Sequence, residues 1–212
     1  DLRMSDGRFE AAGSPERAVS LGELASRSGG FSAMETFEID RMTYPYGVHL
    51  AHVEVDPDSG GVRILGYFIG YEVGRAVIPA LVEGQLVGGA AQGIAGALME
   101  EFRYTDDGQP LATTLADYLV PTAGEVPPIG VLISEDWPAE SNALGVRGAG
   151  EGGATGCGAA IAAAVDDAIG RPGRIRALPI LLPELREAIR ERGDVSGRRP
   201  DQRFETRNRW PH

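Results

Sequence analysis

The segment Gly145–Gly153 reads GVRGAGEGG, which places Glu151 among five glycines. Because glycine lacks a side chain, a ligand can approach the Glu151 carboxylate closely. The segment also matches the G-x-G-x-x-G pattern of dinucleotide-binding folds, but no buried strand precedes it and Glu151 would repel a pyrophosphate. Two interpretations remain open at this point. Glu151 is either a general base whose pKa is raised by partial burial, or a solvated residue of a structural turn.

Alternating apolar residues around this segment predict strands. Leu2–Met4 and Arg8–Glu10 are expected to pair as a hairpin, and a second hairpin joins Val48–Val55 to Val62–Tyr71 across a Pro-Asp-Ser-Gly-Gly turn. Further short strands are expected at Ile129–Ile133 and, as an edge strand, from Tyr104. The pattern favours antiparallel or mixed sheets.

Apolar residues at helical spacing predict helices at Ser20–Ala25, Leu81–Phe102, Ala159–Ile169 and Leu185–Arg192. Ser20 precedes Glu23 at the spacing of a capping box. Glycines within the second helix indicate either close helix packing or a ligand approach; they are Gly84, Gly88, Gly89, Gly93 and Gly96. We therefore predict an α+β fold over residues 1–192, in which helices pack on the sheets.

The composition excludes several functions. With 20 basic and 31 acidic residues the net charge is −11, so nucleic acid is not an expected partner. Every basic residue is Arg, and without Lys neither Schiff-base chemistry nor a phosphate-loop lysine is available. No apolar stretch approaches the roughly 18 residues of a membrane span, and the N-terminus has no apolar signal segment. We expect a cytoplasmic protein.

Metal and hydrolase sites are also not predicted. His49 and His52 are three residues apart on a strand, so they face opposite sides of the sheet and cannot chelate one ion together. The single cysteine, Cys157, excludes a disulfide framework and is expected to be a small buried thiol. No G-x-S-x-G motif is present.

Four segments in order resemble the molybdenum hydroxylases, the family of xanthine dehydrogenase, aldehyde oxidase and aerobic CO dehydrogenase. They are GRAVIPALVEGQ at 74–85, GGAAQGI at 88–94, ADYLVPTA at 116–123 and GVRGAGEGG at 145–153. The resemblance is to the C-terminal part of the molybdopterin-binding large subunit and covers roughly residues 1–188. The chain departs from the family at Glu72-Val73-Gly74, where Asp-Cys-Gly is usual, and at residues 154–158, where a Pro-containing version is common.

The resemblance implies roles for particular residues. It identifies Glu151 as the general base that takes the proton from the attacking water-derived hydroxyl group. Gln92 is implied to hydrogen-bond the molybdenum cofactor, and the backbone of Gly89, Ala90 and Ala91 is implied to approach the same group. No metal ligand is predicted from this chain.

The resemblance also implies the enzyme to which the chain contributes. Such an enzyme hydroxylates an aldehyde or an N-heterocyclic carbon and passes the electrons to iron–sulfur and flavin centres. The implied cofactors are molybdenum with molybdopterin in its cytosine dinucleotide form, and [2Fe-2S] and FAD on partner subunits. The other implied partners are the N-terminal portion of the large subunit and a small-molecule substrate. The alternative is a non-catalytic assembly or remnant module that keeps the fold without the cofactor.

The last residues, 193–212, are predicted to form a basic tail without its own core. It contains five Arg and three acidic residues, together with Phe204 and Trp210. We predict that it lies across a partner subunit, with Trp210 in an apolar pocket and Arg198, Arg199 or Arg207 paired with carboxylates.

Overall fold

The computed structural model describes residues 2–38 and 41–191, and each of these two ranges forms a compact unit. The predicted tail at 193–212 lies outside the described residues, so its binding across a partner subunit stays a prediction. The same holds for the domain boundary expected after residue 192.

The first unit is a three-stranded antiparallel sheet followed by a helix. Strands β1 (Leu2–Ser5), β2 (Arg8–Ala11) and β3 (Ser14–Ser20) pair in that order, which confirms the first hairpin. The sequence did not predict β3, because SPERAVS lacks a regular apolar alternation. Helix α1 (Leu21–Arg27) begins after Ser20, whose side chain and that of Glu23 form the predicted capping box.

The sheet of the second unit has the order β4-β5-β6. Strand β4 (Tyr46–Val55) is antiparallel to β5 (Val62–Glu72), as predicted, and β6 (Ile129–Ser134) joins β5 in parallel. The expected edge strand at Tyr104 is reduced to one isolated bridge with Pro110. The mixed sheet and its packed helices confirm the α+β fold.

Within residues 41–191 the second unit also has four helices: α2 (Pro79–Leu98), α3 (Gly152–Thr155), α4 (Cys157–Ile169) and α5 (Leu182–Arg190). The prediction that α2 extends to Phe102 was wrong, because the backbone leaves the helical region at Met99 with φ −139°. Phe102 instead packs against the rings of Tyr104 and Tyr118. No helix among the described residues is long and apolar enough to cross a membrane.

The core of the second unit lies between the inner face of the sheet and the helices. It is built from side chains with almost no exposed surface, which include Ile69, Leu86, Ile94, Ile161, Val165 and Leu185. Burial of each large aliphatic side chain contributes about 1.5–3 kcal/mol. The opposite face of the sheet stays open, since Val48, Leu50 and Leu132 are each more than half exposed. The core therefore holds one face of β4 and β5 against α2 and α4, where the predicted site residues lie.

Candidate functional site

Glu151 lies at the start of α3, as the residue that caps the helix from its N-terminal side. It follows a loop rather than a strand, so the segment lacks the strand–loop–helix geometry of a dinucleotide site. Its side chain makes no capping hydrogen bond and is exposed. Within the described part of the chain Glu151 is therefore solvent-exposed, and its role as a general base stays a prediction.

The loop before Glu151 is anchored to the sheet through Arg147. The Arg147 N–H donates to the Val73 carbonyl at 2.8 Å. The Arg147 guanidinium donates to the carbonyl of Trp137 at 3.0 and 3.1 Å, and to that of Tyr44 at 2.8 Å. These bonds connect the loop to three other segments of the unit, so the backbone four residues before Glu151 has a defined position.

A second contact fixes the start of the same loop. The Asn142 side chain donates to the Val146 carbonyl and accepts from the Val146 N–H, both at 3.0 Å. Gly74 has φ +70°, and a Cβ there would lie 2.2 Å from the Gly145 carbonyl oxygen. Only glycine tolerates both the left-handed backbone and this close approach. The shape of this corner thus depends on residues distant in sequence.

The buried carboxylate of Glu72 holds that corner from the end of β5. It accepts hydrogen bonds from the Gly74 N–H at 2.7 Å, from the Asp136 N–H at 3.2 Å and from the Ser134 hydroxyl. Burial opposes ionisation, but the hydrogen bonds from Ser134 and the backbone outweigh it and hold the pKa of Glu72 below its ordinary value.

Helix α2 packs directly on the Glu151 loop through glycine. A Cβ on Gly153 would lie 2.0 Å from the Leu86 carbonyl oxygen, and one on Gly89 would lie 3.0 Å from the Ala154 nitrogen. A Cβ on Gly93 would lie 2.4 Å from that of Cys157. Close packing therefore explains Gly89 and Gly93. Gly84, Gly88 and Gly96 have no such neighbour, since a Cβ there would meet nothing within 4 Å.

The predicted cofactor contacts occupy different environments on α2. Gly89 and Ala90 are buried against the loop, Ala91 is half-buried, and Gln92 is exposed. Gln92 follows Gly89 by one helical turn, and Gly89 contacts Gly153, two residues after Glu151. Gln92 therefore lies one helical turn from the residue of α2 that packs against the Glu151 loop. Their roles toward a cofactor stay predictions.

His49 is a site residue for which the sequence predicted no role. His49 and His52 do face opposite sides of the sheet, as predicted, with His49 half-buried and His52 exposed. The His49 ring contacts the Gly152 carbonyl at 3.0 Å and the Tyr67 hydroxyl at 2.8 Å. Its only sequence signal is a histidine at an inward position of a strand, which is equally typical of a core residue.

Cysteine 157 is buried, as predicted, and lies beside this histidine. The Tyr67 hydroxyl is 3.0 Å from the Cys157 sulfur. Burial raises the pKa of the Cys157 thiol, although the contact with Tyr67 opposes the shift, so the group is a neutral thiol at pH 7. Within residues 2–38 and 41–191, no group of three or more His, Cys, Asp or Glu side chains could hold a metal ion.

The model of one protein family, described as the molybdopterin cofactor-binding domain, matches residues 1–127 of the chain. The chain belongs to the molybdenum hydroxylase family. The matched residues include Gln92 and end before Glu151. Among curated molybdenum hydroxylases, subunit gamma of the 6-hydroxypseudooxynicotine dehydrogenase complex of Paenarthrobacter nicotinovorans is 42% identical over 180 residues, which are 80% of this chain and 22% of that protein.

Solved molybdenum hydroxylases have the same fold. Quinoline 2-oxidoreductase from Pseudomonas putida 86 is 32% identical with a TM-score of 0.77, over 90% of this chain and 26% of that one. Reconstituted CO dehydrogenase from Oligotropha carboxidovorans is 26% identical with a TM-score of 0.79, over 92% of this chain and 25% of that one. The family resemblance and the α+β fold are thereby confirmed. The chain spans about a quarter of the length of these relatives.

Proposed function

We propose that this chain is part of the catalytic molybdenum subunit of an enzyme that hydroxylates a small molecule with water-derived oxygen. The observation that carries the proposal is the position of Glu151. Its exposed carboxylate stands at the end of a loop anchored by Arg147, directly beside the helix that presents Gln92. A free carboxylate on a fixed backbone is the arrangement that general-base catalysis requires.

The residues of this chain fit an organic cofactor better than a bare metal ion. The exposed face of α2 combines Gly84 and Gly88, where a Cβ would meet no neighbour, with the exposed amides of Gln85 and Gln92. Such a face offers hydrogen-bond donors and close backbone approach to an anionic group. When bound, the molybdenum cofactor supplies the two-electron redox chemistry that side chains lack. We propose that Gln92 donates to it and that the backbone of residues 89–91 lines its site.

We propose that Glu151 accepts the proton of the hydroxyl group that attacks the substrate carbon. The attack and the proton transfer then occur together, so no unstable protonated product accumulates. Because this chain leaves Glu151 exposed, the cover that excludes water must come from the rest of the large subunit.

The names of the relatives support a heteromeric enzyme with an N-heterocyclic substrate. One relative is subunit gamma of a dehydrogenase complex, another is the large subunit of a nicotine 6-hydroxylase, and a third acts on quinoline. We propose that the substrate is an N-heterocyclic compound rather than an aldehyde. We also propose that the cofactor has the cytosine dinucleotide form. The proposed partners are the N-terminal portion of the large subunit, an iron–sulfur subunit and an FAD subunit. We propose that the complex is cytoplasmic.

A molybdenum measurement on the purified complex, followed by the Glu151→Gln variant, tests the proposal. We expect molybdenum in the complex, and in the variant the same molybdenum content with turnover reduced by about 10²–10⁴-fold, because an amide cannot accept the proton. Glu140→Gln, a change at another exposed loop carboxylate, is the matched control and should keep wild-type turnover. Absence of molybdenum would favour the non-catalytic module. Unchanged turnover in Glu151→Gln would remove Glu151 from the mechanism.

A further inference from the structure

His49 lies beneath the Glu151 loop, on the inner face of β4. It pairs with Ile69 across the sheet, so its ring points toward the helices rather than to the open face. The ring is packed closely against α3 at both ends: Nε2 is 3.0 Å from the Gly152 carbonyl, and a Cβ on Gly156 would lie 2.4 Å from the ring. The histidine therefore contacts the short helix that begins immediately after Glu151.

The hydrogen bonds define which ring nitrogen carries the proton. A carbonyl oxygen only accepts, so His49 Nε2 must donate to Gly152. In the neutral ring Nδ1 is then an acceptor, and the Tyr67 hydroxyl, 2.8 Å away, donates to it. Burial lowers the pKa of His49, which favours this neutral form, although the bond to Gly152 opposes the shift. Tyr67 thus orients the ring that holds Gly152.

The next carbonyl of α3 has its own partner in the same cluster. The Cys157 sulfur lies 3.2 Å from the Gly153 carbonyl and 3.0 Å from the Tyr67 hydroxyl oxygen. His49, Tyr67 and Cys157 therefore form one connected group of side chains under residues 152 and 153. By contrast, the Glu151 side chain makes no capping hydrogen bond of its own. Its direction depends on the backbone that this group holds.

We infer that His49 is a positioning residue, which fixes the Gly152 carbonyl and through it the direction of the Glu151 carboxylate. The inference rests on the proposed role of Glu151 as general base. Arg147 fixes the loop four residues before Glu151, and His49 fixes it one residue after, so the carboxylate is held from both sides. Without the hydrogen bond from His49, the Glu151 carboxylate would still be present but would no longer be held in one direction. Small displacements of a general base lower the reaction rate.

The test uses the complete complex with His49→Leu and His49→Gln. Leucine removes both hydrogen bonds, whereas the glutamine amide can still donate to the Gly152 carbonyl. In His49→Leu we expect amide hydrogen exchange of the peptide covering residues 150–156 to become about tenfold faster, as loss of one hydrogen bond predicts. We expect kcat to fall by a similar factor, with unchanged KM and molybdenum content, and His49→Gln to restore part of both.

His52→Leu, on the exposed outer face of the same strand, is the matched control and should behave as wild type. Wild-type exchange and kcat in His49→Leu, or equal losses in His49→Leu and His49→Gln, would overturn the inference. If His49→Leu does not assemble, Tyr67→Phe provides the second variant, and wild-type exchange and kcat there would also overturn it. The exchange measurement does not depend on turnover, so a failure of Glu151 as the base is distinguishable from a failure of His49 as its anchor.

Discussion

At the residue scale, Glu72 shows how a buried charge contributes to the site without taking part in chemistry. Its carboxylate accepts from two backbone N–H groups and a hydroxyl, and its folded pKa lies below the ordinary value of 4.5. A depressed carboxyl pKa adds stability above the unfolded pKa, and that stability is lost as the pH falls through the folded value. We expect Glu72→Gln to lower the free energy of unfolding by about 1–3 kcal/mol at pH 7. The NH₂ group of the glutamine would face the N–H and O–H donors that the carboxylate now accepts from.

The pH dependence distinguishes this mechanism from a general loss of packing. Thermal unfolding between pH 3 and pH 7 should show a smaller difference between wild type and Glu72→Gln at the acid end. Glu54→Gln is the control, since Glu54 forms an exposed ion pair with Arg63 and should change stability by less than about 1 kcal/mol. A difference that is constant across the pH range would contradict the role of the Glu72 charge.

Gln92 is predicted to act through hydrogen bonds to the cofactor. Gln92→Ala should fold normally, because the side chain is exposed on α2, and should retain less molybdenum per complex after dialysis. Metal analysis alongside protein quantification measures the effect. Ala substitution of Gln85, on the same helix, separates a specific contact of Gln92 from a general need for amides. Full molybdenum retention and a wild-type rate in Gln92→Ala would refute the proposed contact.

At the element scale, the decisive contact is the glycine packing between α2 and the Glu151 loop. Gly153→Ala would push a methyl group against the Leu86 carbonyl and the Ala90 nitrogen, which belong to the rigid backbone of α2. We expect it to destabilise the fold by about 1–3 kcal/mol, as overpacking in a core does. Gly148→Ala, in the same loop, meets no atom within 4 Å and should leave the unfolding temperature within about 1 °C of wild type. Equal unfolding temperatures for both variants would show that the contact is not tight in solution.

At the scale of the whole molecule, the open face of the sheet is the feature that the proposed heteromeric enzyme would explain. Val48, Gly70 and Leu132 form one row across the three strands, and Leu50 lies in the next row. Their exposed apolar surface is typical of an interface, and the chain spans about a quarter of its solved relatives. If the proposed N-terminal portion of the large subunit binds this face, Leu50→Glu should reduce its co-purification with this chain at least tenfold. Asp58→Arg, in the exposed turn after β4, should leave it unchanged.

Local patterns determined much of this protein. The strands of both hairpins, the cap at Ser20, the buried thiol of Cys157 and the family itself followed from alternation, spacing and short motifs, all of which are local in sequence. These signals succeed because backbone propensity and one-sided burial act within a few residues.

Only the tertiary structure decided which glycines pack and which residues anchor Glu151. Gly89 and Gly88 are adjacent in sequence, yet one touches Gly153 and the other meets nothing, because the helix turns by about 100° per residue. The bond from His49 to Gly152 joins residues 103 positions apart. No local pattern encodes such a contact: it exists because β4 and α3 pack on the same core, and packing is a property of the folded chain.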